Sequence, residues 1–559
     1  MAEIAADSTD TAEKKPASLR TVVAASAAGT TFEWYDFFVF GSLIQVISKT
    51  FFSGLSDTAG YIAALALFGA GFLFRPVGAL VFGRIGDKTG RKGAFLVTVM
   101  LMGGATFAIG LLPTYAQAGL WAPGLLVLMR ILQGFALGGE YGGAAIYVAE
   151  HAPPNARGRA TSWVQTSAAF GLFGALVVIL VTRLVVGDLY GPEAFDAWGW
   201  RIPFLFSAGL LAVSIWMRLK LTESPAFAKM KSEGGGSASP YQESFGQWKN
   251  LKIVLLALAA IMSAQGAVWY TAFFYTQTFM EKFLKVDPAT INLLMMSATA
   301  VSAIFYVVFG WLSDKVGRKK VMLFGMTLML VAYFPGFHML ARTANPALAE
   351  AEARTPVVVV ADPADCSLQF DPVGKASFTS SCDIAKSTLA NAGVSYSNQA
   401  APAGSPAQVK IGEAVVASAS ASGLPKDQAK VVKTGVEAAI KAGLTAAGYP
   451  AKADPARINL PGVFAVLFVF VIAATALFGP IAATLVELFP TRIRYTAMSL
   501  PYHIGTGWIG GFVPFTAFAI VAATGNIYSG LWYPFAFTLL SVVTCFFLLP
   551  ETNGRPLDD

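Results

Sequence analysis

Glu33 and Asp36 stand three residues apart in the otherwise apolar string TFEWYDFFVFG, residues 31–41. On a helix that spacing places both carboxylates on adjoining parts of one face. Two carboxylates so close in a low-dielectric medium favour sharing a proton, as a site that loads and releases H⁺ requires. The bland reading is an ion pair that only fastens helices. Which carboxylate would hold the proton is not readable, because a close pair titrates jointly.

Arg75 and Arg130 are the next charges inside apolar stretches. An arginine fork grips a carboxylate through two parallel hydrogen bonds. Either could hold an anionic solute or neutralise Glu33 and Asp36. At about 100° per residue, Gln133, Leu137 and Tyr141 fall near the Arg130 face, and Glu140 lies on the other border of the polar face. Gly134, Gly138 and Gly142 form a separate stripe on which another backbone can approach closely. Glu140 reads equally as a proton-coupling group or a gate brace. Later in the chain, Gln265, Trp269, Tyr270, Tyr275 and Gln277 share one apolar stretch, and Tyr502 and His503 share another. Their plain alternative is packing or an interfacial aromatic belt. The pairs Asp87/Arg91 and Asp314/Arg318 lie in charged loops, where an Asp could cap a helix N-terminus such as that of the eleventh span. Glu487 and Arg494 flank Pro490 and read as gate partners. No cluster has the spacing of a metal site, no nucleophile–base arrangement emerges, and no cofactor other than a coupling proton is expected.

The elements that must carry these groups follow from composition. Of 559 residues 55% are hydrophobic and 13% charged, against roughly 25% charged in soluble domains. That excludes disordered, nucleic-acid-binding and ordinary soluble classes. The net charge of +7 is spread between apolar stretches and forms no single patch. Twelve stretches are long enough to cross ~30 Å of hydrocarbon: 21–48, 58–83, 93–113, 122–149, 160–186, 201–221, 251–280, 289–312, 320–341, 458–488, 494–522 and 527–549. The expected fold is therefore an all-α membrane protein of 12 transmembrane helices in two pseudo-symmetric six-helix bundles. The expected organisation is a tail (1–20), a first bundle (21–221), a linker (222–250), a second bundle in two parts (251–341 and 458–549), an insert (342–457) and a second tail (550–559). Lys and Arg concentrate in one set of loops, which places those loops and both termini in the cytoplasm. The insert, between helices 9 and 10, is then extracytoplasmic. Within it, 357–360 and 409–417 read as strands and 425–447 as an amphipathic helix. Cys366 and Cys382 are a candidate disulfide there, and Cys545 reads as a packing residue.

Residues 83–92, GRIGDKTGRK, and 310–320, GWLSDKVGRKK, repeat one pattern at equivalent places in the two bundles. This loop resembles the signature of the major facilitator superfamily. The strings TFEWYDFFVFG, GFLFRPVGALVFGRIGD, RILQGFALGGEYGGAA, WGWRIPFLFS, LTESPAF and VELFPTRIRYTAMSL together resemble its metabolite:proton symporter family, which includes α-ketoglutarate, shikimate, citrate and proline/betaine permeases. The resemblance covers the chain except 342–457. It implies proton-coupled uptake of a small organic acid, such as a dicarboxylate or related carboxylate, by alternating access in an inner membrane. Glu33, Asp36 and Glu140 would serve coupling, and Arg130 opens a string similar to the superfamily's proton-coupling motif. Arg130, Arg75, Gln133, Tyr141, Gln265, Trp269, Tyr270 and Tyr502 would meet the solute. Asp87, Arg91, Asp314, Arg318, Glu487 and Arg494 would form a cytoplasmic gate. The expected partners are the solute, H⁺ and the lipid bilayer, with no nucleic acid; oligomeric state is not readable. Two alternatives stay open: symport of a zwitterionic osmolyte, and a non-transporting sensor that uses the insert as a binding module.

Overall fold

The computed structural model describes residues 18–53, 64, 67, 69, 71–220, 222–367 and 378–557. Most of the expected tail 1–20 and the start of the expected second span lie outside the described residues. Twelve helical segments correspond to the expected spans: α1 (Leu19–Ser42), α2 (Arg75–Thr89), α3 (Arg91–Leu111), α4 (Trp121–His151), α5 (Arg157–Tyr190) and α6 (Arg201–Leu219) make the first half. The second comprises α7 (Trp248–Phe283), α8 (Pro288–Val316), α9 (Arg318–Ala344), α10 (Leu460–Leu488), α11 (Arg494–Val521) and α12 (Ser529–Leu548). Ten of these, α3 to α12, are long and apolar enough to cross a membrane. The exceptions are α1, which carries Glu33 and Asp36, and α2, described over 15 residues.

Helix ends follow local chemistry. Ser18 caps α1 by accepting from Thr21 N. Asp287 accepts from Ala289 N and Thr290 N ahead of Pro288, whose missing N–H costs nothing at that position. Gly90 and Gly317, with φ of 121° and 107°, break α2 from α3 and α8 from α9 at the two copies of the charged loop, a backbone region that favours glycine.

The small-residue stripe on α4 packs as expected. A Cβ on Gly134 would lie 2.1 Å from Gly71 O, and one on Gly138 2.2 Å from Arg75 O, so α2 and α4 meet backbone to backbone. The equivalent approach in the second half is between α7 and α11, where a Cβ on Gly266 would lie 2.1 Å from Gly505 O. Both of those helices widen into i→i+5 turns, at Leu258–Met262 and Thr271–Tyr275 in α7 and at Ile504–Gly510 in α11. Such turns often mark functional places in a helix.

The insert is a small α/β unit. Its sheet has strand order β2-β1-β3-β4, with β1 Val357–Ala361, β2 Tyr396–Ala400, β3 Gln408–Ile411 and β4 Ala414–Ala417. The amphipathic helix is there, Lys426–Ala446, and Cys366 is bonded to Cys382. Strand β2 and the helix Ser381–Ala392 went unread in the sequence. β2 is exposed at four of its five positions, so it carries no alternating pattern. Tyr396 N donates to Gly525 O at 2.7 Å, Ala453 N to Lys285 O at 3.0 Å, Asn398 Nδ2 to Thr524 O at 3.1 Å and Lys285 Nζ to Asn391 O. These bonds seat the insert on the second half.

Candidate functional site

A central cavity lies between the halves, lined from α1, α2, α4, α7, α10 and α11. Glu33, Arg75, Glu140, Tyr141, Gln265, Trp269, Tyr270, Tyr502 and His503 all line it. The i→i+5 turns help to present the second-half members. Gln265, Trp269 and Tyr270 sit between two of them on α7, and Tyr502 and His503 directly precede the one on α11. The walls are aromatic: Tyr141 stacks on Tyr502 with ring centroids 3.7 Å apart, and Trp269 Nε1 donates to Tyr306 Oη at 2.8 Å. Gln165 Nε2 holds Tyr141 Oη at 2.6 Å.

Polar atoms in this cavity are left without protein partners. Arg75 Nε and Nη2, Gln265 Oε1, Glu33 Oε2 and both carboxylate oxygens of Glu140 are buried and form no hydrogen bond. An unmade bond on a buried polar group costs ~1–3 kcal/mol, more for a charge, so these atoms are chemically able to bind a polar ligand or protons. Arg75 is otherwise held by cation–π contact, its Cζ 4.4 Å from the Phe72 centroid and 5.1 Å from that of Phe37.

Three expected site residues do not line the cavity. Arg130 Nη1 donates to Gln133 Oε1 at 2.8 Å, Gln133 Nε2 donates to Thr106 Oγ1 at 2.7 Å, and Thr106 also hydrogen-bonds Asp36. Arg130 lies over Phe40, Cζ to centroid 4.2 Å. Arg130 and Gln133 thus belong to a buried network joining α4 to α3, with Asp36 of α1 at its end. They were expected at the solute because a helical wheel shows which residues share a face, not which neighbour that face meets. The expected neutralisation of Glu33 by Arg75 or Arg130 is likewise replaced: Glu33 pairs with Arg218, 2.8 Å away. Arg218, near the end of the expected span 201–221, was not singled out as a site residue by the sequence, yet it is 1% exposed. Tyr275, also on α7, is buried outside the cavity lining, beside Phe337 and Phe279.

The charged end of the bundle is closed by two pseudo-symmetric clusters. Asp87 accepts from Tyr495 N at 3.1 Å and Thr496 N at 2.8 Å, so it caps the N-terminus of α11 as the sequence suggested. Asp314 does the same for α5, accepting from Gly158 N and Arg159 N, each at 2.8 Å. Each Asp is also paired with the arginine four residues on, Arg91 at 2.5 Å and Arg318 at 2.6 Å. Arg494 pairs with Glu150 at 2.6 Å, while Glu487 pairs with Arg318 at 3.2 Å and Arg157 at 3.5 Å. Every one of these clusters ties one half to the other.

Glu150, Arg157, Glu223 and Glu551 were missed, although a second repeat signals them. Glu150 and Arg157 have the same separation as Glu487 and Arg494. Likewise LTES (221–224) parallels LPET (549–552). Glu223 accepts from Arg91 N at 3.1 Å and Glu551 from Arg318 N at 2.9 Å. Ser224 Oγ donates to Glu150, and Thr552 Oγ1 to Glu487 at 2.9 Å.

A family profile described as sugar (and other) transporter matches residues 21–238 and 435–559, and one described as MFS/sugar transport protein matches 144–360. Similar curated proteins include a glycine betaine/proline/ectoine/pipecolic acid transporter of Dickeya dadantii, 35% identical over 334 residues, covering 58% of this chain and 65% of that protein. A proline/betaine transporter of Salmonella typhimurium is 36% identical over 57% of this chain and 64% of its own length. A shikimate transporter of Escherichia coli is 36% identical over 57% of this chain and 72% of its own. The chain thus spans under two thirds of the length of the first two. Among solved structures, a proton:xylose symporter of the major facilitator superfamily bound to 6-bromo-6-deoxy-D-glucose aligns with TM-score 0.62 at 15% identity, covering 97% of this chain and 98% of that one. An inward-open xylose transporter from E. coli aligns at TM-score 0.52, also at 15% identity and with the same coverage. At that identity the likeness speaks for the twelve-helix fold alone.

Proposed function

This chain belongs to the sugar (and other) transporter family of the major facilitator superfamily, and from that premise we propose that it carries a small zwitterionic osmolyte of the proline or betaine kind across a membrane together with H⁺. The observation that carries the reading is the charge balance of the cavity. Among the described residues it has a single lining arginine, Arg75, and two lining carboxylates, Glu33 and Glu140, beside the aromatic rings of Trp34, Tyr141, Trp269, Tyr270, Phe478 and Tyr502. The free donors of Arg75 suit one carboxylate. The ring faces suit a quaternary or secondary ammonium, which aromatic π-systems attract by ~0.5–2 kcal/mol. A dicarboxylate, the form of organic acid favoured by the sequence, would bring two negative charges to one arginine beside two acidic side chains. Arg130, the second cation expected for it, is spent in another network.

The proline/betaine and betaine/ectoine names of the relatives support the same solute class. A hydroxylated monocarboxylate is the second reading, favoured by the shikimate-transporting relative and by the unpaired Gln265 Oε1. In operation, the ion pairs between the halves would hold the loop end shut while solute and proton enter from the insert end. Breaking them would open the cavity to the cytoplasm, where the Lys/Arg-rich loops would lie. The insert would then be extracytoplasmic.

The test is transport by the full chain in liposomes with an imposed pH gradient, acid outside, using labelled proline, glycine betaine, shikimate and a dicarboxylate. Accumulation of proline or betaine that collapses on adding a protonophore is expected. Gradient-driven uptake of the dicarboxylate alone, or binding without flux, would overturn the reading.

A further inference from the structure

Arg218 sits beneath the cavity without lining it, at the meeting point of four helices. Its Nη2 is 2.8 Å from Glu33 Oε1 on α1 and 3.7 Å from Glu140 Oε1 on α4. Its Nη1 donates to Phe95 O on α3 at 3.3 Å, and its Cζ lies 3.6 Å from the Phe95 ring centroid. The place is built to fit: a Cβ on Gly29 of α1 would lie 2.6 Å from Nη2. Asp36 on α1 is turned to Thr106. From α11, Tyr495 faces the same guanidinium and donates through its hydroxyl to Gly139 O.

Arg75 and His503 line the cavity alongside Glu33 and Glu140, but within salt-bridge distance, among the described residues, one cation, Arg218, serves both carboxylates. A buried site that carries an uncompensated charge is costly, and a group in that position is neutralised by binding a proton. The two carboxylates are not equivalent. Glu33 makes a contact ion pair, whereas neither oxygen of Glu140 has a hydrogen-bond partner.

We propose that Arg218 is the positioning residue that divides the roles of these carboxylates: it pairs with Glu33 and leaves Glu140 to carry the proton. The proton comes from water in the cavity, binds a Glu140 oxygen, and returns to water when the cavity faces the other way. When it leaves, the Glu140 carboxylate attracts the guanidinium away from Glu33, which loosens α6 from α1. Residue 139, adjacent in α4, holds Tyr495, so α11 of the other half feels the exchange. The use made of the proton rests on the transporter reading; the division of charge does not.

Two measurements on the purified full chain separate the two. Infrared difference spectra at neutral pH read protonated buried carboxyl groups directly, and any contribution from Asp36 cancels between variants. Glu140→Gln should lose one carboxylic acid band. Arg218→Gln should gain a second, because both carboxylates then lack a cation. The double variant Glu33→Gln/Arg218→Gln should return to a single band. In liposomes, Arg218→Gln should lower gradient-driven accumulation about tenfold or more, as expected when one partner of a buried pair is removed. Arg218→Lys should retain most accumulation. A merely structural arginine would not shift the carboxylic acid bands. Survival of the band in Glu140→Gln, an unchanged spectrum in Arg218→Gln, or a second band retained in the double variant would overturn the inference. If wild-type protein shows the spectral pattern yet no gradient-driven uptake, the transport reading fails and the role of Arg218 stands.

Discussion

Under the proposed osmolyte reading, Arg75 is the side chain that would meet the solute carboxylate. It is 3% exposed, two of its donors are unmatched, and the hydroxyls of Tyr270 and Tyr502 lie beside its guanidinium. Replacing it with glutamine keeps much of the volume and removes the ionic hydrogen bonds to a solute carboxylate, each worth ~1.5–3 kcal/mol. Arg75→Gln should therefore raise the KM for a carboxylated solute by roughly ten- to a hundredfold at 1.4 kcal/mol per decade, while the folded fraction stays unchanged. An unaltered KM would remove Arg75 from the binding site. Sequence reasoning found this residue by its cost in an apolar stretch, and found Glu33 and Glu140 in the same way. It misplaced Arg130 and Gln133, because the network that absorbs them is completed by Thr106 of α3, a hydroxyl that nothing in the local pattern distinguishes.

Between elements, the decisive interactions are the two aspartates set on helix N-termini of the opposite half. Each accepts two backbone N–H groups and one arginine. The N-terminal helix dipole adds ~0.3–1 kcal/mol, and up to ~2 kcal/mol in buried geometries. The halves can approach this closely because small residues stand at the crossing: a Cβ on Gly83 would lie 2.8 Å from Thr496 Cα, and one on Gly310 2.5 Å from the Ser162 side chain. These glycines occupy the same place in the two copies of the repeated loop. Asp87→Asn and Asp314→Asn should each weaken closure of the loop end by about 1.5–3 kcal/mol, the worth of hydrogen bonds to a charged group. Spin-label distances between the loop ends of α2 and α11 should then shift toward the separated state, more so in the double variant. Distances unchanged in both single variants would show that the aspartates do not hold the gate.

At the scale of the whole molecule, the insert is a small α/β unit seated on one half. Its seat includes Lys285, in the turn between α7 and α8 and half-buried beneath Asn391. Burial first, then the nearby Lys282 and Lys441, push its amine down to about 8. A lysine lowered on folding binds fewer protons in the folded than in the unfolded state between its two pKa values, so stability rises with pH across that window. Seating of the insert should therefore tighten from about pH 8 to about pH 10.5, with the full penalty present below pH 8. Hydrogen exchange of β2 amides, corrected for intrinsic rates, should show protection increasing over that range in the wild type and flat in Lys285→Met. Equal slopes in the two proteins would locate the pH response elsewhere. Glu352 acts in the opposite sense. Burial raises its carboxyl, so its contribution is present at low pH and declines as pH rises through the folded value. Comparison with Glu352→Gln separates its effect from that of Lys285.

Much of this protein was decided by its sequence alone. Twelve apolar stretches, a charged loop repeated in each half and a scatter of intramembrane charges specify the helices, their duplication and the family, because burial in hydrocarbon leaves a chain no other way to satisfy its backbone. The repeated loop also disclosed the aspartate that caps α11. Only the tertiary structure decided which charges meet. Arg218 reaches Glu33 across 185 positions of sequence, and Arg494 reaches Glu150 across 344. Periodicity reports the face a residue occupies on its own helix. The identity of the opposing side chain depends on how six helices are rotated about their axes, and that is set by the sum of many small packing contacts, such as the glycine crossings of α2 on α4, rather than by any local signal.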